Sequence, residues 1–498
     1  MKPDISVTMS LAMALLIPGL EIDFQDNAVN GSAAIPIAAD TVGRLKEAWV
    51  GELNTGQMTA VMQFRIVVQP GGDTIGYFDS ITEGRTGFPA TWSVVGDTLA
   101  FDVATIRLRF RGTLNDSGDT AEGTWSQGGR SIPLTLKRQA HEYKNANVWA
   151  NRPQRPVGPF PYDSEEVTFE NQAESVTLAG TLTLPRGTGR HPAVVLISGS
   201  GPQDRDQSVM EHKPFLVLAD YLTRRGIAVL RYDDRGTAKS TGRFGPATSE
   251  DLARDVGAAV AFLAGHQRIN TKEIGLVGHS EGGLIAPMVA GARNDVAFLV
   301  LMAGPGVDGA TILLSQAETT LRANGAGESD IQRLTALNRA AFAAAIRNLP
   351  EPEFMAHVEP TIQEVTRDIP EAGREAAVTA LRQEMRNAAL PLKGPWTRYF
   401  MAYDPRPALR RLQRPVLAIT GTKDTQVLAS LNVPGIRQAL TEGGNKDFEI
   451  VELEGLNHLF QMSQTGSMNE YVTIQETFNP AALKVIGDWI ARHTTPIG

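Results

Sequence analysis

From residue 193 onward the chain carries short apolar runs with no polar alternation. They are Ala193-Val194-Val195-Leu196-Ile197, Ala228-Val229-Leu230, Ile274-Gly275-Leu276-Val277, Phe298-Leu299-Val300-Leu301 and Val416-Leu417-Ala418-Ile419. A strand with water on one face alternates polar and apolar residues, so runs like these belong to strands buried on both faces. Such strands form a mostly parallel sheet covered by helices, and the helical rhythm between the runs supplies the cover. The expected fold class is therefore α/β over residues 163–304 and 406–498. Between Pro305 and Pro405 the strand signal vanishes. Ala340–Asn348 and Gly373–Ala389 are alanine-rich, have apolar residues at helical spacing, and break near Pro350 and Pro370. Residues 305–405 thus read as a helical insertion between two sheet strands. An insertion at the carboxyl edge of such a sheet overlies the ligand crevice, which makes it a lid; the rival reading is an insertion that only adds stability.

The first third has a different rhythm. Residues 40–150 read as a small antiparallel β domain, a sandwich or barrel. Ile106-Arg107-Leu108-Arg109-Phe110-Arg111 alternates strictly, and turn clusters recur at Pro70-Gly71-Gly72-Asp73, Asn115-Asp116-Ser117-Gly118-Asp119 and Gly128-Gly129. The arginine row is read as a solvated face rather than a binding face, and Trp92 and Trp125 as core. Residues 151–162 are proline-rich and read as a stiff linker. At the start, residues 1–39 hold an apolar segment, Met9 to Leu20, behind Lys2. It reads either as an export signal, giving a periplasmic or secreted protein, or as an arm packed on a cytoplasmic one. Asp4 and Pro18 count against the signal.

The chain has 498 residues and a formal net charge of -8, which argues against nucleic acid or an anionic membrane as partner. It has no cysteine, so disulfides, thiolate metal sites and a cysteine nucleophile are all ruled out. No stretch is long and apolar enough to span a bilayer.

Directly after Ile274–Val277 stands Gly278-His279-Ser280-Glu281-Gly282, and Leu284 to Ala290 then reads as a buried helix. Gly-x-Ser-x-Gly between a strand and a helix is the nucleophile-elbow pattern. A serine hydroxyl is a weak nucleophile until a fold presents it and a base takes its proton. On this architecture the base follows the elbow, which sets aside His141, His191, His212 and His266. His279 adjoins the serine, His357 lies in the insertion and His493 near the end of the last helix. His458 remains, in the loop after Phe448–Leu453. Asp424 follows Val416–Ile419 and is placed to orient the imidazole, better than Asp404 or Asp447, neither of which follows a buried strand. The order Ser280, Asp424, His458 is that of α/β-hydrolases. For the oxyanion, the amide of Glu281 stands at a helix N-terminus, and Ser200, in Ser198-Gly199-Ser200-Gly201-Pro202, supplies the second donor.

Together these strings resemble the α/β-hydrolase superfamily, and within it the bacterial EstD-type carboxylesterases related to serine aminopeptidase-like hydrolases. The resemblance rests on Ser198 to Asp206, Tyr232-Asp233-Asp234-Arg235-Gly236, Gly278 to Gly283, Gly421 to Val427, Tyr403-Asp404-Pro405 and Asn457-His458-Leu459-Phe460. It covers about residues 163 to 495, and it implies a triad at Ser280, Asp424 and His458. The usual His-Gly oxyanion motif of lipases is replaced here by Ser198-Gly199. The charged residues Asp204, Arg205, Asp206, Asp234 and Arg235 are read as pairing with one another to hold the loops in place, rather than as an arginine anchor for a substrate carboxylate. The expected activity is hydrolysis of small acyl esters, with no metal or organic cofactor, in a possible homo-oligomer. An aminopeptidase or acyl-thioesterase on the same triad is the rival, and Glu351, Glu353 and Glu364 are candidate ammonium anchors. A binding protein on a hydrolase fold is a further alternative, disfavoured because all three triad members are kept.

Overall fold

The computed structural model describes residues 48–139, apart from 55–58, 69–73, 82–84, 104–107 and 128–129, and residues 152–495, apart from 324 and 472. The N-terminal apolar segment lies outside the described residues, as do Ile106 and Arg107 of the alternating run.

Eight strands come first: β1 (Ala48–Asn54), β2 (Thr59–Val68), β3 (Thr74–Ser80), β4 (Arg85–Val95), β5 (Thr98–Val103), β6 (Leu108–Leu114), β7 (Thr120–Gln127) and β8 (Arg130–Gln139). Each pairs antiparallel with the next, and β8 returns to β1 through Ala48↔Gln139, closing a barrel. Closure removes the exposed edges that an open sheet this size would leave. Its core is aromatic: Trp49, Phe64, Phe78, Phe101, Phe110 and Trp125 are buried, and Phe64 stacks on Phe101 at 4.2 Å. Trp92 packs against the same cluster, partly buried. On β6, Leu108 and Phe110 point inward, while Arg109 and Arg111 face out and pair with Asp102. The described part of the arginine row is thus a solvated face.

The proline-rich stretch is tied down. Arg152 donates to the carbonyls of Ile474 (2.6 Å) and Met210 (2.9 Å). Gln154 accepts from the amides of Thr477 and Phe478 and donates to the Phe478 carbonyl.

The second sheet holds β9 (Tyr162–Asn171), β10 (Val176–Pro185), β11 (His191–Ile197), β12 (Ala228–Tyr232), β13 (Ile269–His279), β14 (Phe298–Met302), β15 (Val416–Gly421) and β16 (Phe448–Leu453). The strand order is β16-β15-β14-β13-β11-β12-β10-β9. Every pairing from β12 across to β16 is parallel, and β10 pairs antiparallel with both β12 and β9. The helices are α1 (Pro214–Thr223), α2 (Ser249–Gly265), α3 (Glu281–Ala292), α4 (Gly309–Ala323), α5 (Glu328–Ile346), α6 (Glu351–Thr366), α7 (Glu371–Leu392), α8 (Pro395–Ala402), α9 (Arg406–Arg410), α10 (Ala429–Glu442) and α11 (Pro480–Arg492).

The missing alternation has a direct cause. Val194 and Leu196 pack on one face with Leu218, Leu222, Ile486 and Trp489 of α1 and α11. Val195 and Ile197 pack on the other with Val256 and Val260 of α2 and Ile285 of α3. Both faces are apolar because both are covered. The core beside α2 and α3 continues into the helices between β14 and β15 through Ile312, Leu334, Phe354, Leu381 and Phe400. Within that insertion α6 and α7 begin directly after Pro350 and Pro370, where proline ends the preceding segment and pre-sets φ for a new first turn.

Candidate active site

β13 passes into α3 through Ser280, whose φ of 54° is in the region that side-chain-bearing residues avoid. Two hydrogen bonds hold it there: the Ser280 amide donates to Met302 O (2.8 Å) and the Gly283 amide to Ser280 O (2.8 Å). The glycines around it are forced by close approach. A Cβ on Gly278 would stand 2.0 Å from Gly282 O, and one on Gly282 would stand 2.2 Å from Ile197 O. At Gly283 it would meet the Gly304 Cα at 2.7 Å, so the loop after β14 also needs this glycine.

Asp424 follows β15 and His458 follows β16, and the structure brings these two together. His458 Nδ1 lies 2.8 Å from Asp424 Oδ2, and both side chains are buried. Asp424 Oδ1 accepts from the amides of Gln426 and Val427, each at 2.8 Å, so the carboxylate cannot swing. An ionised carboxylate only accepts, so the ring carries its proton on Nδ1 and leaves Nε2 free to accept one. The side chain of Asn457 shapes the loop by accepting from the amides of Leu459 (3.0 Å) and Gln461 (2.9 Å). Ser280 is tied to the pair through its neighbour: His279 Nε2 lies 2.8 Å from the His458 carbonyl oxygen. Among the described residues the Ser280 hydroxyl itself makes no hydrogen bond to the His458 ring. Bonds of this kind commonly tighten only when substrate binds.

The loop after β11 passes close to the serine, where a Cβ on Gly199 would stand 3.3 Å from the Ser280 Cβ. Among the described residues neither the Ser200 nor the Glu281 amide donates to another backbone group. The loop is pinned by Asp234, which accepts from Ser198 Oγ (3.0 Å) and the Gln203 amide (3.0 Å). Burial pushes the Asp234 carboxyl well above the usual carboxylate range. Among the described residues the expected pairing of Asp204, Arg205, Asp206, Asp234 and Arg235 with one another is not found. Asp204 caps its own loop, accepting from Ser208 Oγ (2.7 Å) and the amides of Asp206 and Ser208, and the others pair with residues outside the set. Arg205 meets Asp233 (2.7 Å) and Glu166 (2.9 Å), Asp206 meets Lys213 (2.9 Å) and Arg231, and Arg235 meets Asp255 (2.7 Å) and Glu174 (2.5 Å).

Two features escaped sequence reasoning. Glu281, beside the serine, has a fully buried carboxyl that accepts from Ser249 Oγ (2.5 Å) and from Trp396 Nε1 (2.8 Å) of α8. Burial raises its pKa. His212 is buried as well, with Nδ1 at 3.0 Å from Thr477 Oγ1 and Nε2 at 2.9 Å from Tyr471 O. Nothing local in the sequence marks these contacts: Ser249 lies 32 residues from Glu281, and the other partners lie more than 100 residues away. Glu351, Glu353 and Glu364 are all exposed on α6. Among the described residues no three His, Asp or Glu side chains converge as a metal site, and no helix is long and apolar enough to cross a membrane.

Residues 194–468 match the model of the alpha/beta hydrolase family. The chain is 31% identical over 149 residues to Esterase EstD of Thermotoga maritima, a match that spans 30% of this chain and 34% of that protein. Among solved structures, an esterase of Pyrococcus furiosus superposes with a TM-score of 0.40 at 15% identity, covering 69% of this chain and 97% of its own. A hypothetical protein of Pseudomonas aeruginosa does so with a TM-score of 0.42 at 18% identity, covering 72% and 99%.

Proposed function

The chain belongs to the alpha/beta hydrolase family, and from that premise we propose that it is a serine carboxylesterase acting on small acyl esters through Ser280, His458 and Asp424. The observation that carries this reading is the buried His458–Asp424 hydrogen bond at the ends of β16 and β15. It fixes the one tautomer of His458 that can serve as a base toward a serine.

Ser280 attacks the acyl carbon while His458 Nε2 removes the hydroxyl proton, and Asp424 stabilises the imidazolium that results. The amides of Glu281 and Ser200 hold the oxyanion; donors fixed in advance need no reorganisation as charge develops. His458 then protonates the departing alcohol, and the acyl-enzyme is hydrolysed by a water that His458 activates in turn. The reading needs no metal and no organic cofactor. Residues 305–405 act in it as a lid over the acyl site, and the Trp396–Glu281 bond supports this by joining α8 to the elbow. Nothing favours a peptidase: the lid carboxylates that would anchor an ammonium group are solvated on the outside of α6.

A panel of p-nitrophenyl esters run beside aminoacyl anilides tests the substrate class, with short-chain esters expected to be turned over and anilides not. Ser280→Ala tests the mechanism, and undiminished ester turnover by that variant would sink it.

A further inference from the structure

His279 is absent from the mechanism above, yet its ring lies at a junction. It is buried, and each of its nitrogens meets a different loop. Nε2 is 2.8 Å from the carbonyl oxygen of His458, and Nδ1 is 2.7 Å from Gln207 Nε2. A carbonyl can only accept, so Nε2 carries the proton, and Nδ1 must accept from the Gln207 amide. Those two bonds define one neutral tautomer and one rotamer of Gln207. Burial, together with the neighbouring His458, pushes the pKa of His279 down to about 3, so the ring stays neutral wherever an esterase would work. Its centroid is 4.7 Å from that of His458. A cation at that distance would oppose formation of the His458 imidazolium, whereas a neutral ring does not.

We propose that His279 is a positioning residue that locks three loops into one register: the elbow at Ser280, the loop bearing His458, and the Ser198–Gln207 loop bearing the oxyanion donor Ser200. Ser280 is joined to His279 by a peptide bond, so the His279–His458 bond sets how far the nucleophile's backbone stands from the base's backbone. Gln207 joins the third loop to that ring from a buried position at φ 51°, a conformation that persists only where surrounding contacts over-determine it. Backbone supports of this kind act on rate because a misplacement of about 1 Å can cost roughly 100-fold. They do not touch substrate, so they leave substrate affinity alone.

The inference rests on the esterase reading, and the test separates the two. kcat and KM are measured on one short-chain p-nitrophenyl ester for wild type, His279→Phe, His279→Gln, Gln207→Met and Ser280→Ala. Reactive serine is titrated in each by a fluorophosphonate. His279→Phe removes both bonds and is expected to lower kcat by about 10- to 100-fold with KM little changed and every serine still titratable. His279→Gln keeps a donor near the Nε2 position and should recover much of the loss. Gln207→Met keeps the bond to His458 and should fall between the wild type and His279→Phe. A wild-type kcat in His279→Phe overturns the proposal, whereas a loss matched by an equal loss of titratable serine indicates unfolding and passes the decision to Gln207→Met. Should His279→Phe fail to fold, an unchanged kcat in Gln207→Met overturns it. Full activity in Ser280→Ala overturns the esterase reading itself, whatever the His279 variants do.

Discussion

Asp424 meets His458 through one carboxylate oxygen at 2.8 Å, while its other oxygen is filled by the amides of Gln426 and Val427. The side chain is therefore locked in rotation as well as in position. Replacing it by asparagine keeps the shape but offers an N–H₂ where an acceptor is needed, or turns to do so and loses the two amides. Asp424→Asn should let His458 adopt the wrong tautomer. The expected loss in kcat is on the order of 10⁴-fold, with KM little changed, measured on a p-nitrophenyl ester near neutral pH.

The elbow makes a steric prediction that is independent of chemistry. A methyl on Gly278 would stand 2.0 Å from Gly282 O, a backbone atom that cannot move aside without opening the turn. Gly278→Ala should destabilise the fold by about 3 kcal/mol by overpacking, read as a lower midpoint of denaturant unfolding. A variant as stable as the wild type would mean that the turn is looser than these contacts imply.

How much of this could be read in advance depends on the range of the interaction. The apolar runs of β11 to β15 were legible because burial on both faces leaves a local signature. Asp424 and His458 could be singled out because each follows its own strand run. The barrel's closure was not legible, since it depends on Ala48 meeting Gln139, and pairing between distant ends has no local sign. The antiparallel pair β9 and β10 was also missed. β9 alternates like any half-exposed strand, and nothing in its residues says which sheet it joins. Ser249 and Trp396 around Glu281, and Gln207 beside His279, are ordinary residues whose roles come only from the loops meeting there.

The buried carboxyl of Glu281 gives a pH test. Burial raises its folded pKa above the ordinary 4.5, so the folded state holds the proton more tightly than the unfolded chain does. That contribution to stability is fully present below about pH 4.5 and is lost as the pH rises through the folded value. Glu281→Gln keeps an acceptor for Ser249 and Trp396 but cannot ionise. Measured by denaturant unfolding from pH 4.5 upward, its stability relative to wild type should climb with pH. A constant difference across that range would show that the carboxyl titrates normally.

His212 predicts the opposite slope. Burial, reinforced by the nearby Arg152 charge, pushes its pKa from the ordinary 6.5 down to about 4, despite hydrogen bonds to backbone carbonyls that favour the charged form. The folded state therefore refuses a proton that the unfolded chain accepts. The sign follows directly: the neutral ring's contribution is present above pH 6.5 and is lost as the pH falls toward 4, by roughly 3 kcal/mol in all. The loss would fall on a junction that matters to the site, because His212 ties the chain before α1 to Tyr471 and Thr477, in the segment that follows the His458 loop. His212→Gln retains a donor for Tyr471 O and an acceptor for Thr477 Oγ1 but does not titrate. It should be somewhat less stable than wild type at pH 7.5, yet should lose less stability than wild type between pH 6.5 and 4.5. Parallel unfolding curves for the two proteins across that interval would refute the assignment and leave acid sensitivity to other groups.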